Sequence, residues 1–359
     1  MRKKIPAKDK NLDRRSFLAT LGAGVAGCLS FSCSPRENHG TDPLLGPPLQ
    51  GTDPPAAAAT RRQPALSSTS DMPMRILGDT GQEVSILAFG GGSRFMVLGE
   101  GNWQAALDNA VLGGINLFDT APSYGDDQES EKRFGRHLSE NYRDRILLST
   151  KVESRDPAIA AAEIEQSFEN LHTEVIDLLQ IHGLEPTDNL DWILGENGLW
   201  ELMTRLKEEG RVRFIGASVM YSPEVALRFA GQARPDVMLL AINAFSKGFT
   251  PYPDFEDSAL QEIRGLGVGV LTMKAMRDLV GTGSGRLSAG QLLQYNWDLD
   301  VSTVLVGHER LSELDFNLEL AGAQEIPTAL DPEELAWIRR RAQGRKDLPC
   351  WLQPGYVDG

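Results

Sequence analysis

The sequence predicts an α/β fold: a (β/α)8 TIM barrel with an N-terminal β-hairpin and a C-terminal extra helix. Three observations carry this reading. From residue 74 onward, short apolar runs alternate with amphipathic segments of helical period. Eight of the apolar runs end near residues 91, 119, 151, 182, 218, 243, 274 and 307, at the spacing of one βα unit. The summed length, roughly 230 residues, is close to that of a typical closed barrel. A doubly wound sheet is the rival. It usually opens with GxGxxG after its first strand, whereas "FGGGSR" (89–94) lacks that spacing and no acidic residue stands where it would read a ribose.

Whole-chain numbers set the outer bounds. The chain has 359 residues, 41% of them hydrophobic, and a net charge of −14. Such a chain can bury a sizeable core, and its acidity argues against a nucleic-acid partner, which needs a basic face. Cys28, Cys33 and Cys350 are the only cysteines and form no CxxC pair, so neither a zinc ribbon nor a disulfide framework is supported.

Residues 1–28 read as an export signal. A basic start leads into "FLATLGAGVAG", too short an apolar run to anchor stably across a bilayer. Arg14-Arg15 followed by Ser16-Phe17-Leu18 makes it a twin-arginine signal, with the twin-arginine export machinery as the expected partner. "VAGC", Val25 to Cys28, is similar to a bacterial lipobox. A lipidated Cys28 with a membrane tether stays open beside simple cleavage into the periplasm or a retained anchor. Removing residues 1–27, with seven Lys/Arg against two Asp, would take the net charge from −14 to −19. Residues 29–72, rich in Pro and Ala, read as a disordered linker, because such a segment buries too little apolar surface to offset its ordering entropy.

The barrel is expected over residues 73–345. "MRILGDTGQEVSIL" gives the hairpin, with Asp-Thr-Gly at its turn. Strands follow at 86–91, 116–121, 146–152, 175–182, 212–218, 237–243, 269–275 and 303–307. Among the helices between them, "LWELMTRLKEEG" repeats Leu199, Leu202, Met203 and Leu206 at helical spacing and stops at Gly210. "DPEELAWIRRRAQGR" (331–345) is the extra helix, expected on the outside or bottom of the barrel, and 346–359 is a tail.

Barrel chemistry gathers where strands deliver their C-terminal ends. Strands two, three and four deliver Asp119, Lys151 and His182, and Tyr124 lies just beyond strand two in "NLFDTAPSYGD". A lysine ending an apolar strand needs a partner, and Asp119 is on the adjacent strand. A phenol of ordinary pKa, about 10, is a poor acid at neutral pH, but a nearby ammonium stabilises its phenolate. His182 can orient an oxygen toward Tyr124. Such a set moves a proton on and off an oxygen while a cofactor carries the electrons. No metal-ligand cluster stands out, and His137, His172 and His308 read as surface or packing residues.

"LFDTAPSYG", "LLSTKV" and "LLQIH" resemble the aldo-keto reductases, NAD(P)-dependent barrel enzymes. The resemblance covers roughly residues 74–325. It implies that Asp119, Tyr124, Lys151 and His182 are a catalytic tetrad, with hydride transfer between nicotinamide and a carbonyl or alcohol. It also implies Ser218 on the nicotinamide amide, Met273 covering its ring, Lys274 and Gly307 at phosphates, Arg310 at a 2′-phosphate and Asn317 at adenine. Arg310 tilts the expected cofactor from NAD toward NADP, against the neighbouring Glu309. Val219, Leu239 and Met273 depart from the family's usual nicotinamide contacts. The expected substrate is a small, sugar-like carbonyl or alcohol. Export would favour a tightly retained cofactor. The alternatives are a non-catalytic exported barrel lipoprotein that binds a small ligand, and a Schiff-base enzyme using Lys151. Specificity is expected in the loops 93–102, 184–197 and 245–257.

Overall fold

An antiparallel hairpin opens the fold in this computed structural model, which describes residues 72–245, 254–276, 280, 287–323 and 331–343. The expected signal and tail and residues 29–71 of the expected linker lie outside the described residues; Met72, the last linker residue, is buried, and the described residues all belong to one structural unit. Strand β1 (Met74–Ile76) pairs with β2 (Glu83–Ser85), and between them Gly81 takes φ 72°, a left-handed turn conformation natural to glycine. Leu77 is fully buried, and the Asp79 N–H donates to the Gly267 carbonyl at 2.8 Å, just before a barrel strand begins. The hairpin therefore seals the N-terminal floor of the barrel.

Eight parallel strands close the barrel: β3 (Leu87–Gly90), β4 (Leu117–Asp119), β5 (Leu147–Val152), β6 (Ile176–Ile181), β7 (Val212–Val219), β8 (Val237–Ala241), β9 (Gly269–Met273) and β10 (Thr303–Val306). They pair in sequence order, and β10 returns to β3. Parallel strands are covered on both sides, and β3 to β6 accordingly bury every residue. The expected strand 269–275 stops at Met273 because Lys274 turns to φ +59°. The expected strand 237–243 stops at Ala241.

Four of the outer helices begin at a capping side chain. Between β3 and β4 lie α1 (Ser93–Met96) and α2 (Asn102–Leu112), and α3 (Glu129–Phe134) follows β4. Asp156 accepts from the Ala158 N–H to start α4 (Pro157–Asn170), with proline at the first position, where its missing N–H costs nothing. After α5 (Leu190–Ile193), α6 (Leu199–Glu208) buries Leu199, Leu202, Met203 and Leu206, as the spacing predicts. Ser222 caps α7 (Pro223–Ala233); α8 (Gln261–Gly265) follows β8, and Ser288 with Gln291 forms a capping box for α9 (Ala289–Asp298). After β10 come α10 (Leu311–Gly322) and the extra helix α11 (Pro332–Gln343). Glu256 joins that helix to the barrel exterior, accepting from Tyr295 of α9 and, at 2.5 Å, from Arg339 of α11. Among the described residues no helix is long and apolar enough to cross a membrane.

Candidate active site

Register and the two-residue period of strands decide which side chains meet. Asp119 stands opposite Ser149, and Lys151 opposite Gln180. Ser149 and Lys151 share one face of β5, and Gln180 and His182 share one face at the end of β6, so all five polar groups turn inward. Asp119 Oδ2 accepts from Lys151 Nζ at 2.6 Å. Its Oδ1 accepts from Ser149 Oγ at 2.7 Å and Gln180 Nε2 at 3.0 Å. Lys151 also donates to the Thr120 carbonyl at 2.7 Å. The ion pair is 1% exposed on both sides. Both lysine partners are acceptors, so the amine is fixed as a donor, which is the opposite of what a Schiff-base nucleophile needs.

Tyr124 folds back over this pair from the loop after β4. Lys151 Nζ lies 4.8 Å from its ring centroid. The His182 ring meets the Tyr124 ring edge-on, with centroids 5.7 Å apart. Asp119, Tyr124, Lys151 and His182 are all buried, so the four predicted groups converge at the C-terminal ends of β4, β5 and β6. Sequence reasoning passed over three further groups. Ser149 and Gln180 precede Lys151 and His182 by two residues, and the strand period alone points them inward. The third is Glu153, just past β5, whose Oε1 lies 2.5 Å from His182 Nδ1. Burial alone would raise its carboxyl, but His182, with smaller help from Ser123 and Lys151, holds it below the ordinary carboxylate range.

A cavity of about 590 Å³ opens beside Asp119 and Tyr124. Met273, Lys274, Gly307, His308 and Asn317 line its other side. A Cβ on Gly307 would lie 3.1 Å from Arg94 Cβ, so a larger residue there would crowd Arg94 against the cavity. Burial pushes the His308 imidazole down to about 3. Its Nε2 lies 3.0 Å from Asn317 Nδ2, and Asn317 Oδ1 finds no hydrogen-bond partner among the described residues. Arg310 is exposed at the N-terminus of α10, while Arg94 pairs with Glu309 beside it. The Ser218 hydroxyl accepts from the Gly183 N–H at 2.7 Å and is not among the lining residues. Val219 and Leu239 are buried. Of the three expected specificity loops, 93–102 supplies Ser93 and Arg94 to the lining; residues 246–253 lie outside the described residues.

A nicotinamide dinucleotide fits these groups. The cavity has the size of a small-molecule site. Lys274 and the start of α10 offer cationic and N–H donors for phosphate. The Asn317 carbonyl oxygen is an unanswered acceptor of the kind an adenine amine satisfies. Among the described residues no group of His, Cys, Asp or Glu is arranged to hold a metal.

A closed barrel with a carboxylate, an ammonium, an imidazole and a phenol gathered at its strand C-termini has the build of a (β/α)8 protein with its polar site at the face where such barrels carry theirs. Residues 90–276, more than half of the chain, match the Aldo/keto reductase family, and the chain belongs to it. L-galactose dehydrogenase of Arabidopsis thaliana is 35% identical over 154 residues, 40% of this chain and 47% of that protein. The aldo-keto reductase YhdN of Bacillus subtilis is 31% identical over 157 residues, 40% of this chain and 45% of its own. The chain thus spans about half the length of these curated relatives. The fold matches an aldo-keto reductase from Bacillus halodurans in its holo form, with a TM-score of 0.61, 24% identity, and coverage of 76% of this chain and 97% of that one.

Proposed function

We propose that the chain is an NAD(P)-dependent oxidoreductase that interconverts a small carbonyl compound, sugar-like in character, and its alcohol, with Tyr124 as general acid and base. One observation carries the reading: a buried Lys151–Asp119 ion pair lies directly against the Tyr124 ring. A bound nicotinamide would supply the two-electron transfer to the carbonyl carbon. Tyr124 donates its phenolic proton to the carbonyl oxygen as charge develops there, and takes it back in the alcohol-to-carbonyl direction. Lys151 stabilises the phenolate left behind, and Asp119 keeps the ammonium aimed. His182 hydrogen-bonds the same oxygen. Met273 would cover the nicotinamide face, with Ser218 near its amide. Lys274 and Gly307 would take the phosphates, Asn317 the adenine, and Arg310 a 2′-phosphate.

Tyr124→Phe tests this. Turnover should fall about 10²- to 10⁴-fold, the usual worth of a general acid, with nicotinamide nucleotide affinity unchanged. Equal turnover in both proteins would sink the reading. Nothing in the site favours a purely binding role: a binding shell has no need of a buried ammonium held against a phenol. Export belongs to the same proposal. It rests on residues 1–28 and carries a periplasmic or lipid-tethered destination, and cell fractionation of the wild type against a chain carrying both Arg14→Lys and Arg15→Lys decides it.

A further inference from the structure

Glu153 has no part in the scheme above, yet it touches one of its four groups. Its Oε1 lies 2.5 Å from His182 Nδ1. The contact joins a ring that is 8% exposed to a carboxylate that is 37% exposed. Both backbones under the pair are tied down. The Glu153 N–H donates to Glu163 Oε2 at 3.0 Å, and the Glu153 carbonyl accepts from Arg155 Nη1 at 2.8 Å. The other terminal nitrogen of Arg155 donates to the carbonyls of His182 and Gly183 and pairs with Asp188. One guanidinium thus spans the ends of β5 and β6.

The charges around His182 come from three directions. Glu153 meets Nδ1 from the end of β5. Tyr124 faces the ring from the loop after β4, with Lys151 and Asp119 behind it. Arg155 and Asp188 lie along the backbone side, where Arg155 is neutralised by Asp188. Glu153 is therefore the one carboxylate bonded to the imidazole ring among the described contacts. An ionised carboxylate only accepts, so Nδ1 must carry a hydrogen. Nε2 is then the nitrogen that meets the reacting oxygen, and an anion behind the ring makes protonation there easier.

We propose that Glu153 is a positioning residue that fixes His182 in its Nδ1–H form and favours its cation, so that a second charge-assisted donor serves the oxygen Tyr124 protonates. The site then has two matched arms: Asp119 behind Lys151 and Tyr124, and Glu153 behind His182. The role at the oxygen rests on the oxidoreductase reading; the state of the imidazole does not.

The test is ¹⁵N-histidine NMR on the full chain, with His182 assigned through a His182→Asn variant and compared across wild type, Glu153→Gln and Glu153→Asp. The wild type should show a protonated Nδ1. Glu153→Gln should make the proton affinity of His182 at least tenfold weaker, and Glu153→Asp should restore most of it. In carbonyl reduction, the high-pH limb of the kcat profile should move down by the same factor in Glu153→Gln and return in Glu153→Asp. An unshifted His182 titration in Glu153→Gln overturns the proposal, even if that variant is less stable. If Glu153→Gln does not fold, a wild-type Nδ1 without a proton overturns it equally. Should Tyr124→Phe keep full turnover, the oxidoreductase reading fails alone, and the NMR result still judges Glu153.

Discussion

Asp119 takes hydrogen bonds from Ser149, Lys151 and Gln180, all within a shell closed to water. Across the barrel, His308 and Asn317 line the cavity, and His308 Nδ1 and Asn317 Oδ1 find no partner among the described residues. On the proton side only Gln180 Oε1 shares that condition. One wall of the barrel is thus wired to itself before any substrate arrives. The other keeps polar atoms unanswered and glycine at its closest crossing. Preorganised charge lowers a barrier without reorganising during the reaction, whereas a binding wall gains affinity from groups that a ligand completes. The two histidines show the contrast in miniature. His182 leans on a carboxylate, while burial holds His308 neutral.

The sharpest way to break this comparison is to cut one strand of the wired wall. Asp119→Ala leaves a buried ammonium without its counter-charge, and such losses cost about 3–5 kcal/mol. Asn317→Ala removes one neutral hydrogen bond from the other wall, worth about 1 kcal/mol with a similar penalty for the partner left behind. Urea unfolding of the two variants measures the difference. Equal costs would mean that the proton wall is no more tightly organised than its neighbour.

The second test uses acid. Burial lowers the His308 value from 6.5 to about 3, so between those values the unfolded chain binds a proton that the folded chain refuses. Stability therefore rises with pH across that window, and the contribution is lost as pH falls from 6.5 toward 3. The slope from one group approaches about 1.4 kcal/mol per pH unit. His308→Gln cannot titrate and keeps an acceptor for Asn317. Its unfolding free energy should fall less steeply than that of the wild type between pH 6 and pH 4, reaching a difference of about 2 kcal/mol near pH 5. Parallel curves would place the acid sensitivity elsewhere.

The same contrast explains what the sequence could reveal. Eight apolar runs and the strand-end positions of Asp119, Lys151 and His182 are local patterns, and the barrel and the proton wall follow from them. Ser149 and Gln180 were within reach by the same period, since each sits two residues before a predicted site residue. Glu153 was not. It lies past the strand end, where a carboxylate reads as ordinary loop, and only the approach of β6 gives it His182 as a partner. The end of β9 was misjudged because the left-handed turn at Lys274 leaves no mark in hydropathy. On the cavity wall, the pairing of His308 with Asn317 and of Arg94 with Glu309 depends on how β10 and α10 meet the loop after β3. Charge spacing along the chain carries no trace of that.

The smallest expected effect concerns Arg310 and the choice between NADP and NAD. Its guanidinium is exposed where α10 begins, and Glu309, the carboxylate beside it, is engaged by Arg94. Another carboxylate, Glu313, accepts from the Glu309 N–H at 2.9 Å and occupies the first turn of α10. The helix terminus thus carries two acids, one neutralised by Arg94 and one spent on the backbone, which leaves Arg310 as the cation able to answer a 2′-phosphate. A charge-assisted bond of this kind is worth about 1.5–3 kcal/mol when sheltered, and solvent screening at an exposed site reduces it toward 1 kcal/mol. Arg310→Ala should therefore weaken NADP binding about five- to tenfold and leave NAD within about twofold, as measured by nucleotide titration of the purified chain. A variant that loses both cofactors equally would show that Arg310 reads the shared pyrophosphate. A variant that loses neither would show that the acids at this helix start already exclude the phosphorylated form.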